Sequence, residues 1–324
     1  MSNAPFLLRP AGKDYLWGGT RLKTEYGKNL PHVPLAETWE CSTHPDGQSI
    51  AASGEHEGQT LREVLREHPE YAGAAANAAG DLSILVKLID AAQDLSVQVH
   101  PDDAYALEHE GQNGKTELWY VVDAAPGAKL VCGFEHDVTA EQLRAAIAEG
   151  TLQKHLHSVE VHTGDVFFIP PGTVHAIGAG CLIAEIQQSS NVTYRLYDYN
   201  RKDKDGNLRP LHVDKALDVL NLRRGFDDRQ QPRLVRHTPG CAREIVGRCK
   251  CFQVERLRVN GVFMIPPQEH FAVLLCVQGS GELCWDGGML EVTAGDCMFV
   301  PAAEETQKLT GNAEWLEILT CCEK

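Results

Sequence analysis

The sequence predicts a mainly β protein made of two copies of one barrel unit, with a few short helices between the strands. Three observations lead there. Short runs rich in Val, Ile, Phe, Trp and Tyr recur along the chain, each bounded by Gly, Pro or Asp. Helical periodicity is confined to three segments. The run TGDVFFIPPGTVH at 163–175 is echoed by AGDCMFVPAAEET at 294–306, so that Gly-Asp, an apolar triplet and a proline return 131 positions later. Each copy follows a strand-rich stretch ending in a glycine turn, VVDAAPG near 121–127 and VQGSGEL near 277–283. A repeated unit accounts for this.

In chain order, the expected strands include Leu118–Val122, Lys129–Gly133, Val166–Pro170, Leu182–Gln187, Phe271–Gln278, Cys297–Pro301 and Trp315–Leu319. A first helix is expected within Thr60–Ala78, where Leu61, Val64 and Leu65 fall at helical spacing. A second, within Thr139–His155, opens like a capping box, with Thr139 followed three residues later by Gln142. A third, short and amphipathic, is expected at Leu211–Leu220. Arg223–Pro239 is polar and basic and reads as a linker. The expected division is therefore a first domain at 1–235 and a second at 236–324.

With 324 residues and 43% hydrophobic content, the chain can bury a substantial core. Its apolar runs are a handful of residues long, far short of the roughly 20 a membrane span needs. The N-terminus lacks the basic start, apolar run and small-residue cleavage site of a secretory signal. The expectation is a soluble, cytoplasmic protein without a membrane partner. A net charge of −15 argues against nucleic acid and anionic membranes, which are held by basic stripes. A small anionic substrate remains open, provided a few local cations meet it. The eleven cysteines form no CxxC. They include a CxC pair at Cys249 and Cys251 and the adjacent Cys321 and Cys322, and are read as reduced thiols.

Gly164–His175 has the spacing G-x5-P-x-G-x2-H, in which two turns frame a buried strand and aim His175 inward. It matches the second motif of the cupin superfamily, a family of jelly-roll barrels. Upstream, strand alternation puts Gln98 and His100 on one face of LSVQVHPDD, and Glu117 leads the next strand. Gln98, His100, Glu117 and His175 supply an amide oxygen, two imidazoles and a carboxylate. Such a set suits Zn²⁺ and can also take Mn²⁺, Co²⁺ or Fe²⁺. A site without thiolates reads as catalytic, since structural zinc sites usually close with cysteines. The competing cluster His155, His157 and His162 lies between a helix end and a strand with no framing turns, and is read as solvated.

The runs ILVKLIDAAQDLSVQVHPDDAYA, GKTELWYVVDAAPGA, GDVFFIPPGTVHAIGAG and EIQQSSNVTYRLYDYNR resemble type I phosphomannose isomerases in their shorter bacterial form. So do YLWGG at 15–19, AETWECSTHPDG at 36–47 and LHVDKALDVLN at 211–221. The match is good over roughly residues 5–222 and weaker beyond. It implies that Gln98, His100, Glu117 and His175 are the zinc ligands, with one zinc per chain. It implies that Lys115 contacts substrate, and that Glu185 and Arg195 are an acid and an arginine of the active site. The implied reaction interconverts mannose 6-phosphate and fructose 6-phosphate through a cis-enediol. Two features depart from the longer members: His175 is followed by Ala176-Ile177 where they have Ala-Tyr, and no large helical insert is present.

Arg195 suits the pairing of developing negative charge or phosphate, Lys115 is a second cation, and Glu185 or a metal-bound water would move the proton. Arg201 and Lys202 read equally well as phosphate ligands or as loop charges. Two other classes stay in view: an Fe²⁺-dependent cupin oxygenase, against which Gln98 and the GKTE lysine speak, and a sugar-sensing cupin, which would need a signalling module. The shift of 131 lays His175 onto Thr306 and Gly172 onto Ala303. Only His270 and Glu269 offer ligands nearby, so the second barrel is expected to hold no metal.

Overall fold

The computed structural model describes residues 3–202, 206–225 and 228–320, so Cys321 and Cys322 lie outside the described residues. The chain opens with strands β1 (Phe6–Arg9) and β2 (Ala11–Lys13), helix α1 (Arg21–Thr24), β3 (Glu37–Cys41), β4 (Ile50–Ala51) and α2 (Leu61–Glu67). Then come β5 (Ile84–Asp90), β6 (Val97–Val99), α3 (Asp103–Glu110), β7 (Glu117–Ala124), β8 (Lys129–Phe134) and α4 (Ala140–Ala148). The first two thirds close with β9 (Leu156–Glu160), β10 (Val166–Ile169), β11 (His175–Ile177), β12 (Cys181–Gln188), β13 (Tyr194–Tyr197) and α5 (Val213–Val219). The last third holds β14 (Arg233–Thr238), β15 (Cys241–Arg248), β16 (Phe252–Ile265), β17 (Ala272–Trp285), β18 (Gly288–Thr293), β19 (Cys297–Val300) and β20 (Gln307–Thr320).

The protein is mainly β, as the sequence predicts. One sheet runs β10-β7-β12-β5-β3-β2 and another β13-β6-β11-β8-β9. The largest runs β14-β15-β16-β20-β17-β19-β1-β4, with β18 on β17. Substituting β19 for β10, β17 for β7, β20 for β12, β16 for β5, β15 for β3 and β14 for β2 turns the first order into the start of the last. The repeat seen in the sequence is thus a repeat of topology. Its two Gly-Asp turns are built alike. Gly164 at φ +89° and Gly295 at φ +99° take the left-handed region that favours glycine. The Asp165 carboxylate accepts the His162 N–H and the Asp296 carboxylate accepts the Thr293 N–H. The strands that follow, β10 and β19, have bounds 131 positions apart.

Strand alternation divides the apolar residues between two cores. Leu118, Tyr120, Leu182, Ala184 and Ile186 face the large sheet and pack with Val254, Val273, Phe299 and Ile318. Trp119, Val121 and Ile183 face the β13-β6-β11-β8-β9 sheet and pack with Leu130, Cys132 and Ile177. The middle sheet is covered on both sides, which is why β5 and β12 are buried along their whole length. Glu117, Glu185, Gln187 and Lys87 belong to the face turned toward the β13-β6-β11-β8-β9 sheet, and there the site forms.

Three expectations change. The helix sought over Thr60–Ala78 is only Leu61–Glu67, because Pro69 diverts the chain into short 3₁₀ turns. The helix within Thr139–His155 has its capping box but ends at Ala148, and Gly150 at φ +69° turns the chain away. The linker expected over Arg223–Pro239 contains β14, paired with β15. Its side chains are almost all exposed, so no apolar alternation marked it as a strand. Helix α3 was missed, although Asp102 caps it by accepting the Tyr105 N–H at 2.9 Å and Gly111 ends it.

Candidate active site

The four residues singled out as metal ligands come together. Gln98 sits mid-β6 and pairs with His175 at the start of β11. Val97 and Val99 are buried in the core, which turns Gln98 and His100 to the other face. The Gly172 N–H donates to the His100 carbonyl at 2.9 Å, tying the Pro-Pro-Gly turn to that strand end. Glu117 opens β7 between Ile169 and Gln187.

His100 Nε2 lies 3.2 Å from His175 Nε2 and 3.2 Å from Glu117 Oε1. His175 Nε2 is 3.7 Å from Glu117 Oε2. The Gln98 amide is 3.4 Å from His175 Nε2. Among the described residues this is the one group of three or more His, Cys, Asp or Glu side chains whose ligand atoms all lie within 4.8 Å.

The hydrogen bonds around this group fix which atoms face its centre. His100 Nδ1 donates to the Val192 carbonyl and His175 Nδ1 to the Thr173 carbonyl, each at 2.8 Å. A carbonyl only accepts, so each Nδ1 carries the hydrogen and each Nε2 presents a bare lone pair. Burial pushes the His100 imidazole down to about 3, with the Lys115 charge adding to it, and burial likewise depresses His175. Both rings are neutral. Burial opposes the Glu117 charge, but the Lys115 ammonium outweighs it and holds the carboxyl well below its usual range. Lys115 Nζ lies 2.6 Å from Glu117 Oε1, an ion pair whose direction still leaves both carboxylate oxygens without a hydrogen bond. Two facing lone pairs beside a buried carboxylate whose charged neighbour is Lys115 alone are costly in a closed core. They are what a divalent cation requires. Rotating the Gln98 amide would turn its oxygen toward the same point.

The centre adjoins a cavity of about 280 Å³ lined by Gln98, Lys115, Glu185 and Arg195 among others. Glu185 accepts the Trp119 indole N–H at 3.0 Å and lies 3.1 Å from Lys87 Nζ. Burial raises its pKa, and the Glu117 charge raises it further. Burial works against the Lys87 ammonium, but Glu185 and Glu37 outweigh it and hold that pKa up. Arg195 donates to Ser96 Oγ at 3.2 Å and to the Pro210 carbonyl at 3.0 Å. Burial, then the charge of Arg209, lowers its guanidinium to about 10, so it stays charged at neutral pH.

Lys87, Glu37 and Arg209 line the same cavity and were not singled out from the sequence. A lysine amid the apolar run ILVKLID was a readable sign for Lys87. Glu37 and Arg209 carried none. Arg201 and Lys202 are not among the cavity residues. Arg201 instead donates to the Asp94 carbonyl at 2.6 Å and pairs with Asp198. Ile177 takes a place on the cavity wall, where the longer family members were expected to have a tyrosine. The three competing histidines stay apart: His155 meets His136 at 3.3 Å, His157 meets Glu135 at 2.8 Å, and the His162 side chain is 72% exposed.

In the repeat, Val300 pairs with Ala272 where Ile169 pairs with Glu117. Alanine thus stands at the carboxylate position and Thr306 at the His175 position.

A family model described as phosphomannose isomerase type I, catalytic domain, matches residues 6–136. A second, mannose-6-phosphate isomerase, cupin domain, matches residues 243–319. The mannose-6-phosphate isomerase of Streptococcus mutans is 36% identical over 310 residues, 96% of each chain. One from Bacillus subtilis is 36% identical over 321 residues, 97% of this chain and 98% of that one. The crystal structure of the Bacillus subtilis mannose 6-phosphate isomerase superposes with a TM-score of 0.91 at 32% identity, covering 98% of this chain and 99% of the other. Near full-length similarity in sequence and in fold, around a centre of two neutral histidines and a glutamate, makes this chain a member of the type I phosphomannose isomerase family.

Proposed function

We propose that the protein interconverts mannose 6-phosphate and fructose 6-phosphate, with one zinc ion held by Gln98, His100, Glu117 and His175. The observation that carries this reading is the junction of that centre with a pocket holding both a buried carboxylate and two arginines. A bound zinc would supply a Lewis acid toward which the sugar's carbonyl and hydroxyl oxygens are drawn. Glu185 takes the proton from C2 of the open-chain sugar and returns it to C1. Burial, and then the Glu117 charge, raise its pKa and so strengthen it as a base. Lys87 and the Trp119 indole keep that carboxylate oriented. Lys115 Nζ, 3.3 Å from His100 Nε2, adds positive charge beside the oxygens where negative charge develops. Arg195 and Arg209 form the cationic side of the pocket suited to the phosphate.

We read the fold as two jelly-roll cupin barrels, the first within 1–235 carrying the centre and the second within 236–324 without metal. Support comes from the shared strand order, with the qualification that β1 pairs with β19 and extends the second unit's sheet. A reducing, cytoplasmic setting fits a chain of this length whose eleven cysteines form no CxxC.

The deciding experiment is a coupled assay on purified, zinc-loaded protein, following fructose 6-phosphate formed from mannose 6-phosphate. Turnover that is abolished by chelation and restored by zinc is expected. A protein carrying one zinc that shows no turnover of this sugar phosphate would refute the assignment.

A further inference from the structure

The turn joining β15 to β16 contains Cys249, Lys250 and Cys251 and takes no part in the pocket. Cys249 and Cys251 are half-buried, whereas Cys41, Cys132, Cys181, Cys241, Cys276 and Cys297 are buried. The Cys249 N–H donates to the Phe252 carbonyl at 2.9 Å, closing the turn. The Cys251 N–H donates back to Cys249 Sγ at 3.4 Å, which favours negative charge on that sulfur.

Between them, Lys250 reaches α3, with Nζ 2.6 Å from Asp103 Oδ2. The other Asp103 oxygen accepts the Gly114 N–H and the Gln188 amide, each at 2.9 Å. Gln188 Oε1 accepts the Thr116 N–H at 2.9 Å. Gly114 is pressed so closely to this support that an added Cβ would fall 2.4 Å from the Asp103 nitrogen. The stretch hung on Asp103 and Gln188 is the one that delivers Lys115 and Glu117 to the site.

We propose that Cys249 and Cys251 are a peroxide-reactive dithiol, and that closing it to a disulfide loosens the Lys250–Asp103 tie and the 114–117 segment behind it. The Cys251 side chain, outweighing burial and joined by the Cys251 N–H, holds Cys249 below the ordinary thiol value, which favours its thiolate over that of Cys251. The Cys249 side chain, with burial, raises Cys251, which favours its protonated form. The Cys249 thiolate attacks hydrogen peroxide; the O–O bond breaks, an S–O bond forms and hydroxide leaves. Cys251 sulfur then attacks Cys249 sulfur. The S–S bond forms, the S–O bond breaks, and the hydroxyl leaves as water with the Cys251 proton. Two thiol sulfurs are oxidised and one peroxide is reduced. A disulfide needs its Cα atoms roughly 4.4–6.8 Å apart at a set torsion. Lys250 lies inside the ring so formed, and its backbone must refit. The metal centre has no thiolate, so peroxide finds no sulfur ligand there.

The test treats the full-length, zinc-loaded protein with peroxide. It maps disulfides by peptide mass and follows amide hydrogen exchange at Gly114 and Thr116. A Cys249–Cys251 disulfide is expected to form before Cys284, the other half-buried thiol among the described residues, is modified. The two amides should then exchange about fivefold faster, the effect of losing one partly exposed ion pair. Dithiothreitol should reverse both changes. Cys249→Ser should abolish the response. Cys251→Ser should stop at a sulfenic acid that dimedone traps. Lys250→Met should show the faster exchange already when reduced and no further change on oxidation. Oxidation of Cys249 no faster than Cys284 would overturn the proposal, as would a disulfide that leaves both amides unchanged. Any accompanying loss of turnover rests on the isomerase reading, but the disulfide map and the exchange do not, so the two readings fail separately.

Discussion

The two imidazoles owe their role to what binds their far side. Each Nδ1 is committed to a backbone carbonyl, which leaves each Nε2 to the centre. His100→Ala or His175→Ala should therefore lose metal and activity together. Loss of an outer partner typically costs 10- to 100-fold in metal affinity, so loss of a ligand should cost more than about 100-fold. Metal analysis and the coupled assay on the same preparation check this, and a variant with full zinc and normal turnover would contradict it. His157→Ala should change neither quantity, because His157 only pairs with Glu135 at the surface. Arg195→Lys keeps the charge and loses the planar fork. Metal content should stay at the wild-type level while turnover falls about 10- to 100-fold, the worth of one or two charge-assisted hydrogen bonds. Steady-state kinetics indistinguishable from wild type would make Arg195 a mere clamp on Ser96 and Pro210. At this scale the four residues of the centre were legible, since strand alternation and the framed His175 turn are local. Arg209 was not, because nothing in its own neighbourhood sets it apart from Arg201.

Among the elements, paired strands of the repeat have kept their geometry and exchanged their charges. On β12 and β5, Glu185 pairs in register with Lys87. On β20 and β16, Glu317 pairs in register with Glu255. Arg243 on β15 supplies the cation there, with Nη2 3.0 Å from Glu255 Oε1. Glu317 is left with a bond from the Gln268 amide at 3.2 Å. Burial, then the Glu255 charge, raises its carboxyl to about 7. A carboxyl raised in the folded state binds its proton more tightly there than in the unfolded chain. Its contribution is fully present below the unfolded value and is lost as pH rises through about 7. The protein should therefore become less stable between about pH 5 and pH 8, by up to about 3 kcal/mol from this group. Glu317→Gln should flatten that slope and raise Tm at pH 8. Thermal unfolding at several pH values measures both, and an unchanged slope in the variant would show that Glu317 is ionised throughout. The strands themselves were visible as apolar runs, but this opposition of two acids was not, because it depends on register between segments about sixty residues apart in the chain.

For the whole molecule, the two halves share a core and a topology but differ in chemistry. Ala272 and Thr306 stand where Glu117 and His175 stand, and the described residues hold no second ligand cluster. The metal-replete protein should therefore carry one zinc per chain. Metal-to-protein ratio after dialysis tests this, and a second tightly held metal lost on Thr306 or His270 substitution would show the second half to be a centre of its own. The halves are also locked together by charge. Lys28 Nζ lies 2.7 Å from Glu40 on β3 and bonds to the carbonyl of Gly295, the glycine of the second Gly-Asp turn. The repeated turn thus caps a strand of the second half and anchors the strand that carries Glu37 and Trp39.

The sequence by itself determined the mainly β class and the repeat, and it singled out the four residues that gather at the centre and the Thr306 that stands for His175 in the second copy. Each of these rests on short-range order: a period of two along a strand, a glycine that must take positive φ, a turn that aims the next side chain. Tertiary structure alone decided that β1 would join the second unit's sheet, that Lys87 and Glu37 would wall the pocket, and that Arg209 would stand beside Arg195 while Arg201 was spent on Asp198. Those outcomes depend on which distant strands pair and in what register. Register is set by burying whole faces at once, and no short stretch of sequence records it.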